Sequence, residues 1–219
     1  MANITFRGLT STSELDTFLS MTEHHCGVRL PPSYAKQARV QGAFVDGHLA
    51  GGYMLVTRPE FRTLMFVPDS CKNTHDFFNN SPYEMMEVNA LWVGPAIKTV
   101  PMQLRFWTQL VLDIFLCRKR YLLLMSNPKN KAIQSIHRMT SPTSLYQGAP
   151  QLAGGQESHR EIKVGYTTRW NLLLNYPLYL REAVARRRRV RETLNARRSQ
   201  QKGRGLGSST QPAALIKAS

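Results

Sequence analysis

Apolar and polar positions along this chain fall into short stretches that switch between strand-like and helix-like spacing. Ile4 to Leu9 reads as a short strand. Ser11 to Glu14 supply cap residues for a helix reaching about His25, with Leu15, Phe18, Leu19 and Val28 along one face, and Leu30-Pro31-Pro32 stops it. A further helical turn or two is predicted over Tyr34 to Val40. Ala43 to Val45 and His48 to Val56 flank Asp46-Gly47, the preferred two-residue hairpin turn, in which both positions take positive φ. Gly51 and Gly52 inside the second strand predict a bulge or a close approach of another segment. Arg62 to Val67 reads as a short strand. Cys71 to Pro82 reads as a loop with a short helix around Asp76. Met85 to Val93 is a strong strand pattern ended by Gly94-Pro95. Leu104, Trp107, Leu110, Val111, Ile114 and Phe115 repeat at helical spacing and predict a helix over Met102 to Arg118. Tyr121 to Ser126 is wholly apolar up to its last residue, as in a strand covered on both faces. Lys129 to Met139 reads as a helix. Ser144 to Gly148 and Arg160 to Thr168 read as two final strands around a Gly-rich loop.

This order demands two kinds of neighbour. The hairpin needs antiparallel strands. The strand–helix–strand unit in the second half needs parallel ones. A mixed α/β sheet with helices on both faces satisfies both. With 42% hydrophobic residues, a body of this size buries enough apolar surface to fold without metal or disulfide support. Three widely spaced cysteines without a CxxC pair argue against a zinc site and against a disulfide framework. His24-His25-Cys26 is no metal site either, since adjacent helical side chains point apart. No leader-like apolar run opens the sequence, and the longest apolar run, Val111 to Leu116, holds Asp113 and is too short to span a bilayer. A cytoplasmic protein is the expectation.

The formal charge of +15 is unevenly placed. From Arg181 onward there are 11 Lys/Arg against two acids, so the strongest basic signal lies in the tail. The expected organisation is a domain over 1–170, a basic helical extension over 171–198, with its helix from about Leu178 to Arg198, and a disordered Gly/Ser/Gln/Pro-rich tail over 199–219. Arg186, Arg187, Arg188, Arg189 and Arg191 are candidates for binding nucleic acid, another anionic surface or an acidic protein. A solvated basic tail is the plainer reading.

From Ala43 to about Gly148 the chain resembles the GNAT superfamily of N-acyltransferases. The residues carrying the resemblance are the Asp46-Gly47 hairpin with its Gly-containing strand, Glu87-Val-Asn-Ala-Leu-Trp-Val93 before Gly94-Pro95, and Asn127 and Asn130 before Lys131-Ala-Ile-Gln-Ser-Ile-His137. The resemblance implies that the strands ending at Val93 and Ser126 diverge. An acyl-CoA or acetyl-CoA co-substrate then lies in the gap, its pantetheine arm on backbone groups of Leu91, Trp92 and Val93. Its pyrophosphate sits on the following loop, where helix-start amides favour anions. Here that loop is Ile97, Lys98, Thr99, Val100, Pro101, Met102 and Gln103. It departs from the family pattern: it has no glycine, and Pro101 has no N–H. Two alternatives follow, an acyl carrier protein as donor or a catalytically silent scaffold that uses the basic tail.

The same resemblance implies candidate chemistry. Glu87 stands where many relatives place the base that takes the proton from an amine acceptor. A structural strand carboxylate is the other reading. His137 and Tyr146 are candidate general acids, against a helix-surface His and a structural Tyr. Asn127 and Asn130 are candidates for hydrogen bonds to the pantetheine arm, against an Asn-Pro turn and a helix cap. No metal is implied.

Overall fold

The computed structural model describes residues 3–129, 131–151 and 161–181. Seven strands form one mixed sheet: β1 (Ile4–Leu9), β2 (Arg39–Val45), β3 (His48–Val56), β4 (Met85–Val93), β5 (Tyr121–Ser126), β6 (Thr143–Gly148) and β7 (Ile162–Thr168). Their order across the sheet is β1-β2-β3-β4-β5-β7-β6. All neighbours are antiparallel except β4 and β5, which run parallel. The helices are α1 (Thr12–Cys26), α2 (Pro32–Gln37), α3 (Arg62–Met65), α4 (Asp69–Thr74), α5 (Val100–Leu116), α6 (Lys131–Arg138) and α7, helical from 169 to 181. Residues 1–179 form one compact unit. The expected helix from Leu178 to Arg198 lies outside the described residues beyond 181, as does the whole of 199–219. No described helix is long and apolar enough to cross a membrane.

Local chemistry explains the element ends. The Ser11 side chain accepts from the Glu14 amide, and the Glu14 carboxylate accepts from the Ser11 amide, a capping box that starts α1. Gly27, at φ 68°, ends it. Asp46 and Gly47 both take positive φ, as the Asp-Gly hairpin requires. Gly51 and Gly52 mark a close approach. A Cβ on Gly52 would stand 2.5 Å from the Gln41 carbonyl and 2.7 Å from the Phe18 ring.

Three expectations needed correction, the first at Cys71 to Thr74, which belong to the helix α4 and not to a loop. The helix expected to reach Val40 ends at Gln37, because Val40 pairs with both Leu9 and Met54 in the sheet. The segment from Arg62 is the helix α3, not a strand. Its first amides find their acceptor in the side chain of Glu87 instead of a neighbouring strand.

The core lies on both faces of the sheet. One cluster, with Tyr53, Met86, Phe106, Leu110 and Leu122, packs beneath α5. On the opposite face Leu15, Phe18, Met54 and Trp92 pack beneath α1 and α2. Phe61, Phe77, Tyr121 and Val164 form a third cluster.

Asp113, inside the apolar face of α5, is buried. It accepts from the Tyr53 hydroxyl at 2.6 Å and from Arg39 at 3.0 Å. Burial and this carboxylate together push the Tyr53 hydroxyl well above its ordinary pKa, so it stays a donor.

Candidate active site

Two half-sheets meet in a short seam. β4 and β5 pair only through Met85–Tyr121, Met86–Leu122 and Glu87–Leu123. Beyond Glu87 the strands part. β4 continues on the β3 side, and β5 follows β7 along its whole length. The split coincides with a bulge. The β3–β4 register shifts between Gly52 and Met54, and Ala90 takes φ 50°, an uncommon conformation for a residue with a Cβ. The extra residue reverses the alternation of β4. Before it, Met86 and Val88 face the α5 cluster; after it, Leu91 and Val93 do, while Ala90 and Trp92 face α1.

Two cavities flank the split, and Leu91 and Met125 line both. One, of about 150 Å³, is apolar, with Val88, Leu110, Ile114, Leu122 and Leu124 among its walls. The other, of about 430 Å³, lies against the end of α1 and is the more polar of the two: Glu23, Cys26, Arg29, Arg62 and Asn89 line it beside Val28, Leu30, Phe66 and Ile162. Burial pushes the Cys26 thiol above its ordinary pKa. All three cysteines are free.

Glu87 is fully buried and lines neither cavity. It accepts from the amides of Arg62 (2.9 Å) and Thr63 (2.8 Å), from Asn89 (2.7 Å), and from the Tyr34 hydroxyl. It therefore sits one layer behind the polar cavity and fastens two of that cavity's walls, Arg62 and Asn89. Desolvation, and then the charge of Glu87, raise the Tyr34 hydroxyl far above its ordinary pKa, so Tyr34 remains the donor of that pair.

His137, on α6, lines the apolar cavity. Desolvation first, and then the positive charge of Lys163, push its pKa down to about 4. At neutral pH it is an uncharged imidazole with no extra proton to release. The folded chain therefore resists a proton that the unfolded chain takes up. Stability should fall as pH drops from about 6.5 to about 4, at up to about 1.4 kcal/mol per pH unit from this group. Denaturant titrations across that window check this, and a His137→Gln variant should show the shallower slope.

The remaining candidates are scattered. The Tyr146 hydroxyl donates to the Ala149 carbonyl at 2.6 Å, within its own strand end, and lines neither cavity. The Asn127 side chain accepts from the Lys129 amide at 2.8 Å, which makes it a turn former. Asn130 and the Arg186–Arg191 cluster lie outside the described residues. Trp92 is buried on the α1 side, stacked on His25 at 4.6 Å. Two side chains of the loop before α5 are engaged within it. Thr99 caps α5 by accepting from the Met102 amide, and the Gln103 side chain donates to the Ile97 carbonyl at 2.9 Å. Lys98 and Val100 are exposed. Arg29, Arg62 and Asn89 were not among the sequence candidates. Asn89 alone carried a signal, since it lies two positions from Glu87 and so on the same strand face.

A mixed sheet whose parallel central pair splays around a bulge, with a helix starting after the splayed strand, is the GNAT acyltransferase fold. Solved structures bear this out across most of the chain. The N-acyl amino acid synthase FeeM from uncultured soil microbes superposes with a TM-score of 0.58 at 12% identity, covering 78% of this chain and 94% of that one. An IAA acetyltransferase from Bacillus cereus gives 0.52 at 9%, over 76% and 99%. A GNAT family acetyltransferase from Elizabethkingia anophelis, solved with acetyl-CoA bound, gives 0.52 at 10%, over 76% and 98%. No family model matches the sequence, and neither does any curated protein. Among the described residues, no group of three or more His, Cys, Asp or Glu is placed to hold a metal ion.

Proposed function

We propose that this protein is an N-acyltransferase that moves an acyl group from a pantetheine-borne thioester to the amine of an amino acid. The observation that carries the reading is the pair of cavities, one almost wholly apolar and one carrying charged groups, that share Leu91 and Met125 as lining residues at the split. The apolar cavity suits an acyl chain. The polar one suits a zwitterion: the guanidinium groups of Arg29 and Arg62 match a carboxylate, and Glu23 matches an ammonium group. The fold likeness to an N-acyl amino acid synthase supports the same acceptor.

In this reading the amine nitrogen attacks the thioester carbon, so the C–N bond forms as the C–S bond breaks. The ammonium group first gives one proton to solvent to become the nucleophilic amine, and the nitrogen gives up a second as the amide forms, with Glu23 the carboxylate on that side. The departing thiolate takes one up. Backbone groups of Leu91, Trp92 and Val93 grip the arm, and Lys98 meets its phosphate. Neutral His137 offers one hydrogen bond on the donor side. Glu87 is a positioning residue, holding Arg62 and Asn89 in place.

The glycine-free loop before α5 and the missing amide of Pro101 favour a donor that needs no pyrophosphate grip, such as an acyl carrier protein. The test incubates the full chain with amino acids and either acyl-CoA or acyl carrier protein thioesters. Free thiol and N-acyl product are measured together. Equal amounts of both, faster with the carrier protein, are expected. A folded protein that yields no product from either donor would sink the reading in favour of a silent scaffold.

A further inference from the structure

Part of the wall of the apolar cavity belongs to α7. Leu172, Tyr176 and Tyr179 line the cavity opposite β4 and β5, together with Trp107 of α5. The wall is braced. The Tyr176 hydroxyl shares a 2.6 Å hydrogen bond with Thr108 of α5. The Tyr176 and Tyr179 rings stack at 6.0 Å, and Tyr179 meets Trp107 edge-on at 5.7 Å. With its hydroxyl already partnered, Tyr176 presents ring carbons to the cavity. The other walls are mainly Leu, Ile, Val and Met, with His137, Thr140 and Asn175 as the polar members, so a polar acyl group there would find few partners to replace water.

Size decides the rest. The cavity holds about 150 Å³. An apolar cavity of that volume accepts a benzene-sized guest, roughly six carbons. An acetyl group would leave most of it empty, and a long fatty chain would exceed it. Resting on the reading of the cavity as an acyl site, we infer that the acyl group is a straight medium chain of about six to eight carbons, and that Tyr176 sets its upper length.

Binding tests this apart from catalysis. Fatty acids from acetate to tetradecanoate are titrated into the full chain by calorimetry, with Trp107 fluorescence as a second readout. Affinity should rise about four-fold per added carbon, the effect of burying one methylene, and level off near octanoate. Tyr176→Ala should move the break to longer chains. Tyr176→Phe keeps the ring, loses only the bond to Thr108, and should leave the break in place. Thermal melts establish that each variant is folded, and Tyr179→Ala serves if Tyr176→Ala is not. Affinity independent of chain length, or a break that stays at octanoate in folded alanine variants, would overturn the inference. The two readings fail separately. A break near octanoate with no product from any thioester leaves the cavity standing and removes the enzyme. Product formed from acetyl as readily as from octanoyl thioesters keeps the enzyme and removes the chain-length gauge.

Discussion

Glu87→Ala is expected to cost about 3–5 kcal/mol of stability, because two backbone amides, a hydroxyl and the Asn89 side-chain amide lose a buried acceptor at roughly 1–3 kcal/mol each, partly offset by water entering the vacated space. The donors are the amides of Arg62 and Thr63, the hydroxyl of Tyr34 and the side chain of Asn89. Glu87→Gln keeps the shape but turns an amide NH2 towards donors, so it should cost less, about 1–3 kcal/mol. Chemical denaturation at neutral pH measures both. Kinetics separates the two roles open to this carboxylate. A residue that holds Arg62 and Asn89 against the acceptor should raise KM for the amino acid in Glu87→Gln and leave the pH profile of kcat unchanged. A base in contact with the amine would lower kcat and flatten that profile.

The second large effect is expected at Asp113. Its partner Arg39 is half exposed and regains water when the carboxylate is removed, but the Tyr53 hydroxyl is fully buried and does not. Asp113→Ala should therefore cost about 2–4 kcal/mol, the sum of an orphaned hydroxyl and a small void. Tyr53→Phe alone should cost less. Combining Tyr53→Phe with Asp113→Leu should recover much of the loss, because replacing both partners by apolar groups removes the unmet demand. If the double variant is as unstable as the sum of the single ones, the hydroxyl–carboxylate bond is not what ties α5 to β3.

Much of this framework was legible from side-chain periodicity. Met85 to Val93 and Tyr121 to Ser126 are strands with the expected ends, and the Asp46-Gly47 hairpin forms as its turn chemistry requires. These signals are local. The misread segment, Arg62 to Met65, is helical for a reason 25 residues away in Glu87, which no window around Arg62 contains. The bulge was illegible for a different reason. Ala90 carries no sequence mark of positive φ, which Gly or Asn would have given. Asp113 did leave a trace, as a lone acid in an apolar helical run that needed a buried partner. The sequence pointed to Tyr53 no more than to any other residue. The site was legible only in outline. The splayed strands stood where the resemblance implied, but Arg29 and Arg62 come from a loop and a misread helix, and their meeting depends on how those pieces pack.

The cleft's geometry rests on a parity. One surplus residue in β4 turns Leu91 to one side and Trp92 to the other, and thereby keeps an oily compartment and one with charged groups back to back with a shared wall. Point substitutions can redecorate either room. Only an insertion or deletion within the strand, which changes odd to even, can exchange them, so the partition should outlast wide drift in the residues that line it.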